Sequence, residues 1–508
     1  MAVALPTRPC PTHAPPRPPE RAPGPPDTPT PRRRAPGALA LLALAAALGG
    51  PHAAAARAPD AAPPGPPAPA ASAQAGAPAD DAAAPADGRP VVSPVQRPDE
   101  RDVPQRACSF TLPVCVHAPA GVPGAAVLEG LAHLEAAMRA YDALGLPRPL
   151  PDGQRGGGPS YDLYLERGPR RGPLRVGHDM RALGDRFDAA SAFAVAAAPA
   201  APGRGGCASA SDAAYALGHA VAARLDAGAE EGALAMTASY LAAVAAPCPA
   251  EELAAVDAFQ RAPERALTGA ALGALDGALL FPWYLDDAYG TGTPAQIAAS
   301  LLAIAAQSTP AGAARFRAEP DVFDALRASL RSRGKDLDDL LLEFAVVRAF
   351  LGSRSDGAHL SDAARFGDFG RVRFEWSLPY ATLPRRVAPL RPIEPTGATY
   401  LWLDLSAESA AGGPDLETAE ITFVADWELP ALFRWAIVKV DRQGAEAGRV
   451  DVAGIFGSSR AQRTVVGLEG LSGLLIVGVN AGSMIRSHPF DPDDAPFMPH
   501  AYAVWLSR

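Results

Sequence analysis

The segment from Tyr215 to Gly232 carries the residue types from which a zinc site is built, but not at the spacing that zinc chemistry needs. A hydrolytic zinc helix places two histidines at i and i+4, on one face, with a glutamate beside the first as general base. A third protein ligand and a water complete the tetrahedron. Here His219 holds the first position, and Glu231 opens a second helical stretch where a third ligand would stand. Ala220 occupies the general-base position and Ala223 that of the second histidine. Two side chains twelve positions apart supply neither the ligand count nor the base. His219 then reads as a histidine satisfied within its helix. Glu230 and Glu231 sit in the first turn of the next helix, where the macrodipole favours carboxylates whatever the function.

Other constellations are weaker. His117, His133, His178, His359, His488 and His500 are scattered, with no metal-ligand spacing between any two. The acidic turn Asp491-Pro492-Asp493-Asp494 has oxygen ligands suited to calcium but lacks the glycine and spaced glutamate of a known calcium loop. There is no Gly-x-Ser-x-Gly elbow, no Cys-x-x-Cys and no phosphate-binding Gly-Lys-Ser/Thr loop. Asp286–Asp287 and Asp338–Asp339 are neighbours on helices. They point about 100° apart, which reads as solvated faces rather than acid/base dyads. No catalytic residue is assigned, and no cofactor is required; zinc and calcium remain the two metals the residue types would suit.

Several elements must position these groups. Apolar residues at Val127, Leu131, Leu134, Met138 and Tyr141–Leu144 predict a helix over Pro123–Gly145. Tyr161–Glu166 and Ser191–Ala196 read as strands. A helical hairpin follows around His219, then helix after helix from Asp276 to Leu351. Thr293 and Pro294 are expected as cap and first residue of one of them, and Gly352 as the stop of the last. After about residue 365, short segments rich in Val, Ile, Phe and Trp recur between turn residues: 371–376, 399–405, 420–424, 433–440, 449–456, 463–466, 474–479 and 501–506. That rhythm predicts an antiparallel β-sandwich, with 379–395 as linker or approach strand.

The N-terminal hundred residues offer too few large apolar side chains to offset the entropy of ordering. Within them, Arg32–Arg34, an apolar run from Gly37 to Gly49 and Ala53–Ala56 follow the order of a secretory signal. The run is too short to span a bilayer, and no cysteine follows it closely enough for a lipid anchor. Removing 1–56, with six arginines and two acidic residues, takes the formal charge from −9 to −13. An acidic chain of this kind is a poor nucleic-acid binder. Cys108, Cys115, Cys207 and Cys248 remain, an even set expected to form two disulfides outside the cell. Cys108 and Cys115 bracket a short loop. Cys207 and Cys248 bracket the hairpin, and would meet if its helices run antiparallel.

The stretch from about Cys108 to Leu351 resembles secreted gluzincin-like metallopeptidases of GC-rich bacteria with a degenerate His-Glu-x-x-His motif. The resemblance rests on Asp162-Leu-Tyr-Leu165, the His219 helix, Glu231-Gly232, the Leu280–Gly290 helix and Glu343–Arg348. It implies His219 and Glu231 as vestigial zinc ligands and an α+β fold: a mostly helical peptidase-like domain at 106–365 and a β-sandwich at 366–508. A signal region at 1–56 and a disordered Ala/Pro-rich linker at 57–105 precede these. The expected function is an exported, periplasmic or extracellular, non-catalytic protein that binds a peptide, protein or envelope ligand. One alternative is an active zinc peptidase with atypical ligands. The other is a glycan- or protein-binding module in the sandwich, with Trp402, Trp427 or Trp435 as sugar-stacking candidates.

Overall fold

In the computed structural model, residues 95–167, 174–183, 186–198, 206–269, 277–308, 321–406, 416–452, 458–483 and 498–508 are described. The expected signal region at 1–56 and the acidic turn at 491–494 lie outside them. The described fold is mixed α+β. Among the described residues no helix is long and apolar enough to cross a membrane.

Residues 105–118 form a tight antiparallel hairpin, β1 (Gln105–Cys108) and β2 (Val114–Ala118), in which Cys108 lies directly opposite Cys115. The two are disulfide-bonded. From β2 the chain crosses over through α1 (Gly124–Ala143) to β3 (Tyr161–Glu166), which pairs parallel to β2. α1 buries Val127, Leu134, Met138 and Tyr141, the stripe its periodicity demands. β5 (Arg186–Ala197) adds parallel to β3, and β4 (Arg175–Leu183) closes the sheet antiparallel to β5. The strand order is β1-β2-β3-β5-β4, so β4 is an edge.

Onto this sheet packs the helical hairpin α2 (Gly206–Leu225) and α3 (Glu231–Ala245). Its alanines let the two helices approach closely: a Cβ at Gly218 would lie 3.2 Å from Leu241 Cβ and 3.3 Å from the Ala238 carbonyl oxygen. Cys207 and Cys248 are bonded across the open end, with Cα atoms 5.1 Å apart. The chain continues through α4 (Pro249–Arg261), α5 (Leu280–Tyr289), α6 (Gln296–Ser308), α7 (Val322–Arg331) and α8 (Leu337–Ala349). Asp321 caps α7 by accepting from the Asp324 N–H at 2.6 Å.

The start of α6 differs from expectation. Ala295 has a positive φ of 66°, so the chain breaks between Pro294 and Gln296, and Thr293 is not the cap. Asp286 takes that role from α5, accepting from Ala295 N at 2.5 Å and from Tyr240 Oη at 2.8 Å. It is therefore a half-buried structural group rather than a solvated face. Burial raises its pKa, against the lowering effect of these hydrogen bonds. Asp338 is likewise mostly buried, and burial followed by the nearby Asp336 charge lifts its pKa to about 6.

The C-terminal strands are β6 (Trp376–Pro379), β7 (Arg385–Val387), β8 (Ala398–Asp404), β9 (Ile421–Trp427), β10 (Ala431–Asp441), β11 (Glu446–Val452), β12 (Arg460–Val465), β13 (Leu471–Ser483) and β14 (Tyr502–Ser507). They form two sheets, β11-β10-β13-β8-β6 and β12-β9-β14-β7. One apolar cluster draws from both, including Leu401, Trp435 and Ile476 from the first and Phe423, Val504 and Leu506 from the second. The first sheet also carries α8, and Tyr400 Oη donates to the Ala345 carbonyl at 2.9 Å. β13 is thus covered on both faces, which is why it reads as a continuous apolar run and not an alternation. The strand expected over 371–376 begins only at Trp376; the segment before it is irregular.

Helical and sheet regions are stitched together by polar groups. Glu264 pairs with Arg373 and Arg391, each at 2.8 Å. Leu267 N donates to Thr396 Oγ1, and Ala398 N to the Pro263 carbonyl. Arg348, 1% exposed, lies 3.9 Å over the Phe259 ring and donates to Gln260 Oε1 at 3.0 Å.

Candidate functional site

His219 lies midway along α2 with its face to the sheet and 5% of its surface exposed. Its partner is His178 on β4: His178 Nε2 and His219 Nδ1 are 3.2 Å apart, with ring centroids at 5.0 Å. Such a contact needs a lone pair on one ring, so the pair cannot hold two protons between those nitrogens. Burial, and secondly the neighbouring His178, pull the His219 pKa down to about 3. His219 is neutral at physiological pH and offers no positive charge.

The other positions of the zinc pattern do not converge on it. Ala220 and Ala223 are both 0% exposed, packed where a base and a second ligand would stand. Glu231 is exposed at the start of α3. Gly218 sits level with Ala238 and Leu241 of α3. Glu231, seven residues before Ala238, is therefore about 10 Å along the axis from that level. Glu230, the residue before α3, is buried. The structure brings His178 to His219 and leaves Glu231 outside. The sequence gives no spacing signal for His178, because 41 residues and a whole strand separate the two.

A second group gathers on the opposite face of the first sheet. Cys115, His117 and Asp162 have potential ligand atoms within 4.8 Å of one another. Cys115 is committed to its disulfide. His117 Nε2 bonds Asp162 Oδ1 at 2.8 Å, and Arg97 reaches Asp162 Oδ2 at 2.5 Å and Asp152 at 3.0 Å. Asp162 is already held by the Arg97 guanidinium and bonded to the His117 imidazole, so this is a closed polar network rather than a metal site. It pins the segment around Arg97 to the sheet, with the guanidinium 4.5 Å over the Phe193 ring.

A third group joins the helical region to the sheets. His359 Nδ1 meets Asp356 Oδ1 at 2.9 Å and its Nε2 meets Glu446 Oε2 at 2.8 Å. Its ring stacks on Phe350 at 4.1 Å. Arg449 bonds the same Glu446 at 2.8 Å and also pairs with Glu343. Burial opposes the charge, yet the bonds to Glu446 and Asp356 raise the His359 pKa. Glu446 falls to about 2 because His359 and Arg449 outweigh its burial.

The remaining residues singled out by type are placed as follows. His133 lines a cavity of about 30 Å³ between α1, α2 and the ends of β3 and β5, room for a water or two. His500 bridges to Ile393 through the backbone, and His488 is outside the described residues. Trp427 and Trp435 are 6% and 0% exposed and belong to the core. Trp402 is half-buried and stacks near Phe374 at 6.1 Å. The first two are therefore excluded as sugar platforms by their inward strand parity.

No protein-family model and no curated protein sequence matches the chain. Among solved structures, it is similar to the pre-peptidase C-terminal domain of a collagenase from Bacillus anthracis. The match covers 27% of this chain and 97% of that one, at 9% identity and a TM-score of 0.17. At that score the likeness assigns neither fold nor function.

Proposed function

We propose that this is an exported, non-catalytic relative of gluzincin metallopeptidases whose first domain binds an extended peptide. In this reading residues 106–365 form the peptidase-like domain and 366–508 a β-sandwich. The supporting observation is the burial of Ala220 and Ala223 at 0%, one and four residues after a neutral His219. A base and a second ligand cannot be supplied there without repacking the hairpin. Beside His219 the chain retains β4, nine residues long and paired only through β5 among the described residues. A strand at the edge of the described sheet is a template for strand addition. Main-chain hydrogen bonds to an added strand require no catalytic side chain. The two disulfides fit an oxidising compartment.

The test uses the mature chain and a mixture of unstructured casein-derived peptides. Hydrogen exchange is expected to slow in the amides of 175–183 when peptide is present, with no cleavage products. Unchanged exchange in β4, or cleavage that a chelator stops, contradicts the proposal.

The rival, an active zinc peptidase with atypical ligands, draws support from the meeting of His178 with His219. It still needs a third protein ligand. Among the described residues, the one three-group cluster within coordination range is the closed Cys115–His117–Asp162 network on the other face.

A further inference from the structure

The second C-terminal sheet has an outward face that the core does not use. Strand parity sends Tyr502, Val504 and Leu506 of β14 inward, and Ala503, Trp505 and Ser507 outward. β14 is an interior strand, between β9 and β7. Its register sets Trp505 directly opposite Val424 on one side and Arg386 on the other, and β12 sets Gln462 beyond Val424. One row thus runs Arg386, Trp505, Val424, Gln462 across the sheet. The next row holds Ser507, Thr422 and Thr464; the row on the other side holds Ala503 and Asp426.

Trp505 is 43% exposed, whereas Trp427 and Trp435 of the same strand layers are inside. An indole left in water at the centre of a sheet forgoes burial of a large apolar surface. The side chains before and after it on its own face are Ala503 and Ser507, both too small to rise over the ring. Arg386, Gln462, Thr464 and Asp426 around it are exposed.

We propose that this face is a carbohydrate-binding surface with Trp505 as its stacking platform. A pyranose ring is apolar on its C–H face and polar around its hydroxyl edge. One aromatic plate ringed by a guanidinium, an amide, a carboxylate and hydroxyls matches both. An apolar protein anchor needs an apolar surround, which here is reduced to Val424 and Ala503, 9% and 8% exposed. A phosphate-bearing ligand needs clustered positive charge, whereas Asp426 stands in the face and pairs with Arg460 at 3.7 Å. The surface is separate from β4, so its failure and that of peptide binding are distinguishable.

The test is affinity electrophoresis of the mature chain in gels containing hydroxyethylcellulose, xylan or glycol chitin, with co-sedimentation on insoluble chitin and peptidoglycan. At least one is expected to retain the protein. Trp505→Ala should weaken that binding about tenfold or more, and Trp505→Tyr, which keeps an aromatic plate, only a few-fold. Near-UV circular dichroism of Trp505→Ala checks that the core indoles remain ordered. A second variant, Gln462→Ala, leaves the platform intact and should weaken binding several-fold. The proposal is overturned if no polysaccharide retains the wild type, or if wild type and Trp505→Ala are retained alike. Trp505-dependent binding of a proline-rich peptide in place of any glycan also overturns it.

Discussion

His219 and His359 are both nearly buried imidazoles, and their surroundings shift their pKa values in opposite directions. His219 is set among alanines with another imidazole as its polar neighbour, and burial strips its proton. His359 is gripped by a carboxylate at each nitrogen, and those bonds raise its pKa despite burial. The histidine that sequence context marks as chemical is electrically silent. The one without any motif is held between two carboxylates and joins two regions of the fold. Partners decide what a buried histidine does; motif position alone does not.

The hairpin around His219 owes its geometry to a covalent clamp. Replacing Cys207 and Cys248 together with serine should cost about 4 kcal/mol in the chain-entropy model for a loop of 41 residues. Denaturant unfolding checks this, and an unchanged midpoint would mean that packing alone holds the hairpin. His359→Ala leaves Asp356 and Glu446 without the imidazole they share. Because Arg449 still bonds Glu446, the expected loss is about 2 kcal/mol, below the range for a fully buried pair. His219→Gln keeps a neutral hydrogen-bonding group and should cost only about 1 kcal/mol. If it proves worse than His359→Ala, the contrast is inverted.

The pH dependence of stability separates the two histidines by sign. The His359 pKa is raised on folding above its ordinary 6.5. Its contribution is full below 6.5 and lost as pH rises through the folded value. The His219 pKa is lowered to about 3. Its folded form refuses a proton that the unfolded chain accepts, so stability is lost as pH falls from 6.5 towards 3. His359→Gln should flatten the alkaline side of the profile, and His219→Gln the acidic side. Thermal unfolding across pH 3–9 reads both.

Much of the fold was legible because one periodicity dominated each element. The stripe of Val127, Leu134 and Met138 became α1, and alternation in Tyr161–Glu166 became β3. Both cysteine pairs meet as the antiparallel arrangements required. β4 gave no such signal: Arg175-Val-Gly-His178 is an edge with mixed polarity, and its place comes from pairing with β5. The α6 cap was misplaced because its acceptor, Asp286, comes from the preceding helix rather than from the residue before the turn. Of the candidate site, His219 was found and His178 was not, since contacts across 41 residues leave no local pattern. Trp505 was passed over for Trp427 and Trp435 because inward and outward parity is fixed by register, which composition does not carry.

Calorimetric titration of the metal-stripped protein with zinc at neutral pH tests whether His219, packed beside Ala220 and Ala223, takes part in metal binding. No saturable one-to-one binding is expected, with the same heat for wild type, His178→Ala and His219→Ala. One tightly bound zinc per chain, abolished by either substitution and accompanied by peptide hydrolysis, would contradict that expectation.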